Sequence, residues 1–215
     1  MMRKFSLALS LAFLVSLIAC NGGTPAPSSS TAAAPAKKEA PAAPVAYTGR
    51  EAFQKMYSAA RLWAPDARPY RLESSTYKEF TGKDGRAVIW RAGFASAARR
   101  SLKAFLLSGA HSDDAPSYGV SSGVEDSYSP SNSSTQVFDS GFLKIDSDKA
   151  LETAQKHGGE KLFKQNPQQP VLYLLSWSPR ENILSWHVIY GTSPSDAKLR
   201  VAVNASTGAF ERVEK

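Results

Sequence analysis

From Thr48 to Trp63 the apolar residues Phe53, Met56, Tyr57, Ala60 and Trp63 recur at helical spacing. Thr48, with Glu51 three positions on, has the spacing of a capping box. Strand-like material follows: YRLESSTYKEF, the turn TGKDGR, then AVIWRAGFAS and SLKAFLLSG. The same order returns downstream. DSDKALETAQKHGG predicts a helix capped by Asp146 or Ser147, with the stripe Ala150, Leu151 and Ala154 and with Gly158 as terminator. After it come VLYLLSWS, the turn PREN, ILSWHVIYGT, the turn SPSDA and KLRVAVN. Val171, Tyr173, Leu175 and Trp177 alternate onto one strand face, as do Ile183, Ser185, His187 and Ile189 on theirs. Trp90 and Phe94 correspond to Trp186 and Tyr190. The pattern therefore predicts an α+β fold of two similar units, each a helix packed on a short antiparallel β-sheet. The first unit is residues 48–110 and the second residues 141–215. They are expected to stand as packed copies or to share one sheet, because a unit of this size buries little surface alone.

The remaining segments have no such period. Residues 111–140 are rich in Ser, Asp, Asn and Gly and read as a polar connector. Residues 20–47 are mostly Pro, Ala, Ser and Gly, the composition of an extended or disordered linker. As a coil, the 26 residues from Asn21 to Ala46 reach on the order of 30 Å. Ahead of it, Arg3 and Lys4 precede the apolar run FSLALSLAFLVSLIA. That run is shorter than the ~20 apolar residues of a membrane span and fits a signal peptide over residues 1–19. Leu17-Ile18-Ala19-Cys20 then resembles the bacterial lipobox. The resemblance implies that the Cys20 thiol takes up diacylglycerol and becomes the N-terminus after cleavage, so that the single cysteine is a lipid anchor. Asn21, where retention on the inner membrane is associated with aspartate, points to the outer membrane facing the periplasm.

The second unit also resembles the PepSY-type domain, over Phe142 to Val213. The likeness is carried by DKALETAQKHGG, by WHVIY, and by the ending KLRVAVNASTGAFERV. The family's Val-Asp-Ala-x-Thr-Gly is here Val203-Asn204-Ala205-Ser206-Thr207-Gly208, with Asn for Asp. Both residues tolerate the same turn, and Gly208 is expected at positive φ. The first unit shares the likeness only through the internal repeat. The resemblance implies binding, with an inhibitory or protein-binding role and no defined catalytic residues.

Composition changes this picture little. Apolar residues make up 42% of the chain, and the formal net charge is +7. Basic and acidic residues are interleaved, which argues against a nucleic-acid partner. GVSSG, residues 119–123, matches G-x-S-x-G, but no strand precedes it and no helix follows, so a serine hydrolase built on Ser121 is the weakest alternative. His111, His157 and His187 are too scattered for a metal motif. His111 with Asp113 and Asp114 is a solvated loop rather than a cation site, and His157 suits a helix C-terminus. No cofactor and no metal is expected. The leading expectation is a non-enzymatic, lipid-anchored envelope protein that binds a protein or peptide. Trp186, Tyr190, Lys198, Tyr118 and Tyr128 are its candidate contact residues, provided that they are exposed. The aromatic content leaves a small-ligand or cell-wall glycan binder as the alternative.

Overall fold

The computed structural model describes residues 42–214. The chain enters through β1 (Tyr47–Thr48), which pairs with β3 (Arg86–Ala87), and passes directly into α1 (Gly49–Trp63). The capping box forms as the sequence predicts. The Glu51 amide donates to Thr48 Oγ1 at 3.3 Å, and the Thr48 amide donates to Glu51 Oε2 at 2.9 Å. α1 buries Phe53, Met56 and Ala60 of the predicted stripe, and Ala52 beside them, with Tyr57 and Trp63 half-buried at its margin.

Four strands follow: β2 (Arg68–Ser75), β4 (Ile89–Ser96), β5 (Ser101–Ser108) and β6 (Gly119–Ser127). The second half begins at α2 (Ser147–Ala154), capped by Asp146. Gly158, at φ +114°, breaks the helix as expected, but the chain then resumes as α3 (Glu160–Gln165). It resumes because Leu162 and Phe163 find the core to pack on. Four more strands complete the chain: β7 (Val171–Ser178), β8 (Ile183–Tyr190), β9 (Leu199–Asn204) and β10 (Phe210–Glu214).

All eight long strands belong to one antiparallel sheet of order β10-β9-β8-β7-β2-β4-β5-β6. The strands of each half of the chain are neighbours in it, β2, β4, β5 and β6 on one side and β7, β8, β9 and β10 on the other, running outward from the β2–β7 seam. The seam is short, pairing Leu72 with Leu175 and Glu73 with Leu174. Tyr173 N–H adds a bond to Ser74 Oγ at 2.9 Å.

The connector expected over residues 111–140 needs correction, since Gly119–Ser127 is a strand of this sheet. Its residues are nearly all exposed, so no apolar alternation marks it. It is held by its ladder with β5 and by Trp63, whose indole N–H donates to Glu125 Oε1 at 2.8 Å.

One face of the sheet carries the helices. Beneath them lie the fully buried Trp90, Phe94, Leu72, Tyr173, Leu175, Trp186, Val188, Tyr190, Val201 and Val203. The two halves place their tryptophans alike. Trp90 Nε1 donates to the carbonyl of Tyr47, the residue before the α1 cap, at 3.0 Å. Trp186 Nε1 donates to the carbonyl of Ile145, the residue before the α2 cap, at 2.9 Å. The two indoles meet edge to face at 6.4 Å.

Candidate functional site

Strand alternation sends every second side chain to the face that no helix covers. One row of paired residues crosses the whole sheet there: Arg212, Ala202, His187, Leu174, Glu73, Arg91, Leu106 and Ser121. Ser176 and Ser185 sit opposite each other in the next row. This face thus carries the charged Arg212, His187, Glu73 and Arg91 among the apolar Ala202, Leu174 and Leu106.

At the β8–β10 side the polar groups are linked. With its proton on Nδ1, His187 donates to Glu214 Oε2 at 2.8 Å, and its Nε2 accepts from Ser176 Oγ at 3.0 Å. Glu214 also takes a bond from Arg212 at 3.0 Å and lies 3.8 Å from Arg200. Ser185 donates to Glu211 at 2.7 Å. Burial raises the Glu214 carboxyl, but the His187 bond and the two arginines outweigh it and hold the group below the usual carboxylate range.

A serine, a histidine and an acid in sequence have the roles of nucleophile, base and orienting group. Acyl transfer further needs donors aimed at the developing oxyanion. Ser176 lies within a paired strand opposite Ser185, where the backbone is engaged in the ladder rather than in a turn or helix N-terminus. The arrangement fixes the ring and tautomer of His187. Its parts come from β7, β8 and β10, so residue spacing alone gives no signal of it.

The sequence-derived contact residues divide. Trp186 and Tyr190 are fully buried and belong to the core, which corrects their assignment to a binding surface. Each is drawn inward by the apolar alternation of β8, and burial pushes the Tyr190 phenol up. Lys198 is exposed and lines a cleft of about 450 Å³ with Arg200, Val213 and Glu214. Tyr118 is exposed, stacks on His111 at 3.8 Å and immediately precedes β6, while Tyr128 is half-buried just beyond it.

Ser121 is exposed on β6 opposite Leu106, on a strand rather than in the flexible loop or nucleophile turn the sequence allowed. Asp114 is engaged by Ser112 and Lys78, not by His111. His157 stacks on Phe210 at 3.7 Å. Among the described residues no three His, Cys, Asp or Glu side chains converge to hold a metal. Cys20 lies outside the described residues.

The sheet has two outer edges. β10 is short, bulged next to Phe210, and carries the charged Glu211, Arg212 and Glu214. β6 is longer, running from Gly119 to Ser127; it too shifts register, against Lys103 and Phe105 of β5, and Val124 on it is 91% exposed. An unpaired strand edge presents a row of N–H and C=O groups able to accept another strand.

No family model matches this chain, and none of the curated proteins matches it. Among solved structures, a candidate lipoprotein from Clostridium difficile 630 is similar in fold. Its TM-score is 0.50, with 12% sequence identity, over 76% of this chain and 91% of that chain.

Proposed function

We propose that this chain is a lipid-anchored protein of the bacterial envelope, held through Cys20 on the outer membrane and facing the periplasm, that works by binding an extended protein or peptide segment. The β6 edge carries the reading. An added strand would bond its backbone to the outer edge of Gly119–Ser127, with Tyr118 at the end, Val120 in the paired part and Val124 within the register shift that β6 makes against β5.

The body is proposed to be a duplicated PepSY-like unit. Equal strand order about the β2–β7 seam and the matched tryptophan-to-carbonyl bonds support the duplication. The Asn204 turn supports the PepSY likeness. Asn204 Oδ1 accepts from the amides of Ser206 and Thr207 at 2.9 and 3.1 Å, and Gly208 has φ +78°. The signal sequence and lipobox support the anchor, and the fold likeness to a candidate lipoprotein agrees with it.

The test places a photoreactive residue at Val124 in the full-length chain in native envelopes, with the same group at Val213 on β10 as control. A discrete protein adduct from position 124 alone is expected. Adducts equal at both positions, or cell-wall glycan retained with no protein adduct, would refute it, the latter favouring glycan binding. The reading is also non-enzymatic. A fluorophosphonate is expected to leave Ser176 and Ser121 unlabelled, and stoichiometric labelling of either would replace binding with acyl transfer.

A further inference from the structure

The charges of the open sheet face are satisfied at one side and not at its centre. Arg212 is paired with two carboxylates, donating to both Glu181 oxygens at 2.8 and 3.0 Å and to Glu214 at 3.0 Å. Arg200 donates to the Pro194 carbonyl at 3.1 Å and neighbours Glu214. In the central rows, two guanidinium groups share one carboxylate. Arg71 gives only its Nε to Glu73, at 2.7 Å, which leaves both terminal nitrogens with donors to spare. Arg91 approaches the same carboxylate no closer than 3.9 Å. Arg68 and Asp126 stand at the two ends of the row beyond, separated by Ala95 and Leu102.

A phenol completes the centre. β2 shifts register between Pro69 and Arg71, and this turns the Tyr70 ring across Gly93 of β4. A Cβ at Gly93 would stand 2.3 Å from Tyr70 Cζ and 2.6 Å from its hydroxyl, so the glycine is what admits the ring. Among the described residues the Tyr70 hydroxyl forms no hydrogen bond. Tyr70, Arg71, Glu73, Arg91 and Gly93 together wall an open hollow of about 280 Å³.

We infer that this hollow is an oxyanion site, taking the carboxylate or phosphate group of a ligand onto the free nitrogens of Arg71, Arg91 and the Tyr70 hydroxyl. Glu73 holds Arg71 by its Nε side, which leaves the terminal fork free for a second oxyanion. The phenol stays protonated, because burial pushes it up more than the two arginines pull it down. The site is independent of the β6 edge.

The test follows the arginine Nε–H resonances of the full chain in detergent during titration with inorganic phosphate and with succinate. Separate arms add vesicles of phosphatidylglycerol or of phosphatidylcholine. Saturable shifts at Arg71 and Arg91 are expected, with Arg212 unmoved. Losing a charge-assisted hydrogen bond costs ~1.5–3 kcal/mol, so Arg91→Gln should weaken binding on the order of tenfold or more. Tyr70→Phe should weaken it less, and Arg212→Gln should leave it unchanged. Saturation by free phosphate or succinate identifies a soluble anion. Response only to phosphatidylglycerol, lost in Arg91→Gln, identifies a lipid headgroup. Shifts that never saturate in any arm, or binding that survives Arg91→Gln, overturn the assignment.

Discussion

Gly49 occupies the first turn of α1 at the point where both tryptophans converge. A Cβ there would stand 2.4 Å from Trp186 Cη2 and 3.3 Å from Trp90 Cη2. Alanine normally favours a helix over glycine, but overpacking a filled core costs about 1–3 kcal/mol. Gly49→Ala should therefore lower the denaturation midpoint, read by tryptophan fluorescence in urea. Glu214 gives a prediction in pH. Its folded carboxyl lies below the unfolded value, so its contribution is fully present above the unfolded range near 4.5 and is lost as pH falls through the folded value. Glu214→Gln should flatten the acid limb of stability below about pH 4.5, measured as urea midpoints between pH 6 and pH 3. An unchanged limb would mean that the His187 and arginine contacts add nothing in solution. At this scale Thr48, Glu51 and the helix stripes were legible in the sequence, because each acts on neighbours within one turn. The His187–Glu214 and Tyr70–Gly93 contacts were not, because they exist only once the register of separate strands is set.

The helix N-termini show how one element fixes another. Asp146 accepts from the Ser147 amide at 2.7 Å in its own helix and from the Arg50 amide at 2.8 Å in α1, and Thr48 Oγ1 donates to it at 2.7 Å. Ser147 Oγ in turn accepts from the Gly49 amide at 2.8 Å and donates to the Gly85 carbonyl at 2.6 Å. A single N-cap is worth ~1 kcal/mol. Asp146→Ala removes acceptors from two helices and should cost about twice that. The double variant Thr48→Ala/Asp146→Ala should cost less than the sum of the two singles, since they share a bond; strict additivity would contradict the shared cap. The strands that bury a face were readable from their alternation. β6 was missed for the opposite reason: GVSSGVEDS buries almost nothing on either side, so hydrogen bonding alone makes it a strand. α3 was missed because a glycine at positive φ interrupts a helix without forbidding a new one, and only the core shows that Leu162 and Phe163 still have a place to go.

For the molecule as a whole, the halves meet through few backbone pairs but many side-chain links: the shared caps, the paired indoles, and Tyr173, whose hydroxyl donates to the Gly82 carbonyl at 2.5 Å. Such cross-links make neither half complete without the other. Trp63→Phe/Trp90→Phe leaves indoles only in the second half, Trp177 and Trp186, and Trp177→Phe/Trp186→Phe leaves indoles only in the first. Each variant's fluorescence midpoint should coincide with its own circular dichroism midpoint, whereas separated transitions would mean that the halves unfold independently. The repeated order of helix and strands was visible in the sequence. The sequence left packed copies and one shared sheet both open, because Leu72 and Leu175 carry no mark that they will pair. The point where the chain enters has a mechanical consequence. Val45 N–H donates to the Gly109 carbonyl at 2.8 Å, and Tyr47 and Thr48 then pair with β3 before α1 begins. Tension drawn along the chain before Val45 would thus load this small clasp before it reached the helices.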